Sequence, residues 1–172
     1  MTIDIASLIP PDPQGEFTYE PQEYFLQAIH RMARIRDAEF EIAFEPLGLN
    51  VTRYRTLVTL VRAGACSMSD LAVLMGYDRT TLARAVDQLV AMGCVERRIR
   101  PQDRRVVEVA ATEAGRALFE RTIEDARRIN DKLFENIADG ELRTVLRGLE
   151  RMLANLGSTP DDIGRSLEGR RG

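Results

Sequence analysis

Apolar residues recur at helical spacing along most of this chain, with one break to alternating, strand-like spacing between residues 95 and 109. Phe25, Ile29, Met32 and Ile35 fall on one face of a long helix that runs from Pro21 to about Phe44 and ends near Pro46 and Gly48. Tyr54, Leu57, Val58 and Val61 line a second amphipathic helix closed by Gly64. Ser67-Met68-Ser69-Asp70 has the form of a capping box, with the Ser67 hydroxyl taking an early backbone N–H and Asp70 reaching back, and it opens a short helix through Met75. Gly76 and Tyr77 then make a tight turn and Asp78 caps a further helix. Leu82, Val86, Leu89 and Val90 bury one face of that helix before Gly93 stops it.

After Gly93 the period changes. Val95-Glu96-Arg97-Arg98-Ile99 and Val106-Val107-Glu108-Val109 are short β-branched runs, joined by residues 100–105 into a predicted hairpin with a basic, flexible tip. Thr112 caps a helix that Leu118, Phe119, Ile123, Ala126, Ile129 and Leu133 carry to about Asn136. A last helix begins at Asp139, with Leu142, Val145, Leu146, Leu149, Met152 and Leu156 along one side. Pro10, Pro11, Pro13 and Gly15 make residues 1–20 an extended arm, and Gly, Ser and Pro make residues 158–172 a flexible tail. The expected fold is mainly α with a small β-hairpin wing.

Composition narrows the function. At 172 residues and 44% hydrophobic content the chain suits one globular unit. It has no run of membrane-spanning length and no signal-peptide pattern, so a cytoplasmic location is expected. Cys66 and Cys94, without cysteine or histidine neighbours, fit neither a disulfide framework nor a zinc spacing. The net charge of −3 argues mildly against a nucleic-acid binder, but its distribution argues the other way. Nine acids and three arginines make Met1 to Asn50 strongly negative, whereas Glu96 to Arg105 holds five arginines against two acids. A basic segment on an acidic body concentrates positive potential where phosphates can be neutralised.

A short capped helix, a tight turn and a longer helix make a helix-turn-helix, whose second helix can enter a major groove. With Leu82, Val86 and Leu89 buried, Arg79, Thr80, Thr81, Arg84 and Gln88 face outward. They offer a guanidinium for guanine, hydroxyls for phosphates and an amide for adenine. Any surface helix can show such residues, and the hairpin that follows decides the reading. Its arginines, Arg98, Arg104 and Arg105 among them, are placed to reach backbone or an adjacent minor groove.

The stretch DRTTLARAVDQLVAMGCVERRIRPQDRRVVEVAATEAGRALFE, Asp78 to Glu120, resembles the MarR family of bacterial regulators. The family has a recognition helix of this pattern, a wing entry matched by Gly93-Cys94-Val95-Glu96-Arg97, an Asp-Arg-Arg wing tip and a Thr-x-x-Gly helix start. The resemblance implies a winged helix-turn-helix in which Arg79, Thr80, Thr81 and Arg84 contact DNA, Arg104 or Arg105 enters the minor groove, and Asp103 braces the wing by pairing with an arginine. Arg100-Pro101 stands where the wing commonly begins Asp-Pro, a charge reversal expected to strengthen non-specific affinity. The resemblance also implies a homodimer built from N- and C-terminal dimerisation helices, which gives a division into 1–20 arm, 21–48 N-terminal dimerisation helix, 49–111 DNA-binding lobe, 112–157 C-terminal dimerisation helices and 158–172 tail. The unpartnered apolar stripes at both ends support it.

The function expected is a sequence-specific regulator, a ligand-responsive repressor that binds a pseudo-palindromic stretch of double-stranded DNA. The resemblance suggests a small aromatic or phenolic effector. Tyr54, Met32 and Arg36 are candidates to line its pocket and equally ordinary core and surface residues, so the effector-binding residues stay unassigned. No phosphate loop, nucleophile elbow or paired-carboxylate motif appears, so neither an enzyme nor a cofactor is expected. His30 stands without ligands at metal spacing and no metal site is expected. The alternative is a helical adaptor that docks a protein partner through its amphipathic termini.

Overall fold

The computed structural model describes residues 21–100 and 103–157, so the arm at 1–20 and the tail at 158–172 lie outside the described residues. Helix α1 (Pro21–Phe44) leads through a 3-10 turn (Glu45–Leu47) to α2 (Val51–Ala63), strand β1 (Cys66–Ser67), α3 (Met68–Met75) and α4 (Arg79–Ala91). Strands β2 (Val95–Arg100) and β3 (Asp103–Ala111) follow, then α5 (Glu113–Phe134) and α6 (Asp139–Asn155). Among the described residues no helix is long and apolar enough to cross a membrane.

The chain divides into two compact units between Glu39 and Phe40. In the first, the α1 residues Leu26, Met32 and Ile35 expose their side chains, and Arg36 pairs with Asp37 at 3.3 Å. In the second, Leu57 and Leu60 of α2, Leu71 of α3, Leu82, Val86 and Leu89 of α4, Val95 of β2, and Val109 of β3 form a core closed to solvent. Each such side chain contributes about 2 kcal/mol through burial, which is why the short α3 persists despite too few residues to be stable alone. Leu118, Ala126 and Ile129 fasten α5 to the same core, and the rings of Phe40, Phe44 and Tyr54 cluster with centroids 4.5 to 5.4 Å apart. Tyr54 therefore belongs to the core.

Local chemistry places each boundary where the periodicity changes. Asn50, Ser67, Asp78 and Thr112 each accept a backbone N–H of the first turn of the helix they precede. At Ser67 the expected capping box is altered. The hydroxyl accepts from Asp70 N at 3.1 Å, but Asp70 meets that hydroxyl at 2.9 Å, having one methylene less than the glutamate that would reach the backbone. On α4, Ala85 completes the buried face and Val90 is only partly covered.

The sheet departs from expectation in two ways. Cys66 and Ser67, for which no strand is expected from the sequence, pair with Val109 and Glu108, so the wing is a three-stranded antiparallel sheet in the order β1-β3-β2. Two residues carry too little pattern to announce a strand, and only the neighbouring β3 edge recruits them. The hairpin connection is also shorter than residues 100–105. Pairing runs from Val95↔Ala111 to Arg100↔Asp103, with a register irregularity at Ile99/Arg100, because ladder hydrogen bonds belong to the backbone and tolerate charged side chains.

Candidate nucleic-acid interface

The buried stripe of α4 turns Arg79, Thr80, Thr81, Arg84 and Gln88 outward, and all five are exposed. Their surroundings differ. The side chains of Thr80 and Arg84 make no hydrogen bond or ion pair among the described residues, so both are available to a ligand. Arg79 donates to Ser69 Oγ of α3 at 3.1 Å, which ties the first turn of α4 to the preceding helix. Thr81 donates its hydroxyl to Asp78 Oδ2 at 2.6 Å and its backbone N–H to Oδ1 at 2.9 Å. These bonds hold the Asp78 carboxyl below the ordinary aspartate range, the hydroxyl bond first. Gln88 Oε1 accepts from Arg53 Nη1 of α2 at 2.6 Å. The amide expected to read adenine thus has its oxygen engaged with Arg53. Arg53 Nε is buried without a partner, and the same side chain borders a cleft of about 420 Å³ with Glu41, Glu45 and Asn50.

The wing is fixed to α4 by Arg97, whose Nη2 meets Asp87 Oδ1 at 2.5 Å. Its brace among the described side chains is Glu108, the central-strand residue directly opposite Arg98. Arg100 Nε donates to Glu108 Oε1 at 2.7 Å, and Arg98 Nε lies 3.8 Å from Oε2. The charge reversal at Arg100, expected to strengthen non-specific affinity, is therefore offset by a carboxylate. Arg105 is exposed on β3. Asp103 and Arg104 take part in β3 through their backbones; their side chains, and so the bracing expected of Asp103, lie outside the described residues.

Behind the wing, the Thr-x-x-Gly start of α5 has a steric reason. Thr112 N donates to Cys94 O at 3.0 Å and Thr112 Oγ1 donates to Gly93 O at 2.7 Å, which draws the first turn of α5 onto the strand. A Cβ at Gly115 would lie 2.0 Å from the Cys94 carbonyl oxygen. Gly93 itself turns the chain from α4 into β2 at φ +71°. Both thiols are buried. Desolvation, then the negative charges of Asp70 and Glu108, pushes Cys66 up to about 11, with Arg100 opposing, and desolvation also raises Cys94. Neither is the low-pKa thiolate that redox sensing needs. Arg53, Asp87 and Glu108 had no signal in sequence beyond their charge, because their partners lie 35, 10 and 8 positions away.

Residues 49–107 match the sequence model of the MarR family. A crystal structure of a MarR-family transcriptional regulator from Silicibacter pomeroyi is 30% identical, superimposes with a TM-score of 0.69, and is matched over 78% of this chain and 91% of that one. Bordetella bronchiseptica BpsR, whose DNA binding is regulated by 6-hydroxynicotinic acid, is 26% identical with a TM-score of 0.69 over 79% of this chain and 97% of that one. A mutant MarR from E. coli in complex with operator DNA is 26% identical with a TM-score of 0.68, matched over 74% and 91%. On its helix-turn-helix, its wing and these likenesses, the chain belongs to the MarR family of DNA-binding transcriptional regulators.

Proposed function

We propose that the chain acts as a homodimeric, ligand-responsive repressor on a pseudo-palindromic operator, by binding rather than by catalysis, in the cytoplasm where the DNA is. Residues 49–111 are the reading lobe. One α4 enters the major groove of each half-site with Thr80 and Arg84 in the lead, Arg79 and Thr81 at the backbone, and Arg98, Arg104 and Arg105 on the flanking phosphates and minor groove. Gln88, already engaged with Arg53, contributes through its amide nitrogen. The observation that carries the reading is the outward row on α4 set beside the arginine wing, with Arg84 uncommitted to any other group among the described residues.

Residues 21–48 and 112–157 supply the dimer contact. The apolar side chains that α1 and α6 leave exposed support it, and so does the two-fold symmetry that paired recognition helices require. The effector is a small aromatic or phenolic acid, in keeping with the hydroxynicotinic acid that regulates BpsR. It acts by favouring a dimer whose recognition helices are misplaced. The test is a titration against the DNA flanking the chain's own gene at two salt concentrations. Arg84→Ala should weaken binding by about 1–3 kcal/mol and relax the preference for one base pair, with salt-sensitive affinity throughout. No binding to that DNA or to a random-sequence library at low salt would sink the proposal.

A further inference from the structure

Among the described residues Glu108 is the one buried carboxylate, 8% exposed, in the middle strand of the wing. A carboxylate taken out of water costs several kcal/mol unless it is paired. Here the partners are two wing arginines on the neighbouring strand: Arg100 Nε donates to the carboxylate at 2.7 Å, and Arg98 Nε lies at ion-pair distance, 3.8 Å. The arginines are only partly covered, with half of the Arg98 side chain and a third of that of Arg100 open to solvent. Arg98 is committed to this pair alone among the described residues, so its terminal amino groups remain available.

Two consequences follow from this placement. The buried charge cannot leave, so it subtracts one unit from the positive potential that Arg98 and Arg100 present. It also limits the positions the two guanidiniums can take together, because the carboxylate would be stranded without a partner if both strayed. A flexible, fully charged wing binds any phosphate backbone; a restrained, partly neutralised one binds where the backbone lies in register with its fixed groups.

We infer that Glu108 is a specificity-setting positioning residue, which holds Arg98 and Arg100 so that the wing discriminates a selected site from random DNA. The inference rests on the wing-on-DNA reading given above. It predicts an uncommon direction of effect: loss of the acid should raise affinity for the wrong DNA.

The test uses the full chain and two duplexes, one selected by the wild type from a random library and one scrambled from it. Glu108→Gln keeps an acceptor for Arg100 but removes the charge. The variant should bind the scrambled duplex about fivefold more tightly, with a salt slope steeper by about one phosphate, while affinity for the selected duplex stays level or falls. Adding Arg100→Gln restores the charge balance and should return the slope to its wild-type value. Glu108→Asp, which keeps the charge but is one methylene shorter, should keep the slope and still lose selectivity; it also serves if the glutamine variant folds poorly. An unchanged ratio and slope, or parallel loss of affinity for both duplexes in a folded variant, overturns the inference. Failure of the wild type to select any duplex from the library overturns the wing-on-DNA reading, and the inference with it.

Discussion

Helix α6 is more sharply amphipathic than α4, yet α4 buries four residues and α6 none. On α4, Leu82, Val86 and Leu89 are closed to solvent; on α6, Val145, Leu146 and Met152 stand about half exposed and Leu156 lies open just beyond its end. The same local pattern has therefore been put to two uses. In the lobe the stripe meets α2, α3 and the sheet within one protomer. At the C-terminal end the stripe stays largely open, with Leu142 and Leu149 only partly covered, and a second copy of the chain is the surface proposed for it. An apolar stripe states that a helix must be covered, and whether its own chain or another covers it depends on what lies opposite.

That contrast can be broken most forcefully in the lobe. Gly115→Ala sets a methyl 2.0 Å from the Cys94 carbonyl oxygen, a backbone atom that cannot swing aside. The cost should be about 3 kcal/mol or more, read as a lower midpoint in chemical denaturation. A change under about 0.5 kcal/mol would mean that the junction between β2 and α5 is looser than drawn. At the other end, Leu146→Glu should leave the lobe folded and weaken self-association about a hundredfold, roughly 2.7 kcal/mol, measured by sedimentation. If the variant dimerises like the wild type, α6 is not the contact.

Smaller effects sharpen the picture of the lobe as the sealed half. With its pKa at about 11, Cys66 should react with a thiol reagent at pH 8 about a hundredfold more slowly than an ordinary cysteine. Rapid labelling in the folded protein would show that the sheet opens. The smallest change is expected at the exposed cap of α4. The folded pKa of Asp78 is depressed, so its contribution is complete above the ordinary aspartate value and fades as pH falls through the depressed one. Asp78→Ala should thus lower the thermal midpoint at pH 7, and the gap from wild type should close in strong acid. A gap that persists there would assign the cap's effect to something other than the ionised carboxylate.

Much of this was legible beforehand because it is written in adjacent residues. Asp78 before α4, Thr112 before α5 and the Leu82/Val86/Leu89 spacing involve groups within one or two helical turns, where sequence neighbours are also spatial neighbours. The outward row on α4 follows from the same geometry. Its commitments do not. That Gln88 is held by Arg53, or that Arg79 leans on Ser69, depends on how α2 and α3 are stacked against α4.

By itself the sequence determined the helix order, the caps, the hairpin and the side of α4 that faces outward, since periodicity and capping act over a few residues and need no partner from elsewhere. Tertiary structure alone decided that Cys66 and Ser67 form a strand, that Glu108 is buried between two wing arginines, and that a glycine is required at 115 because the Cys94 carbonyl occupies the space of a side chain. In each case the deciding group is distant along the chain and arrives only when the core closes, so no local pattern could have named it.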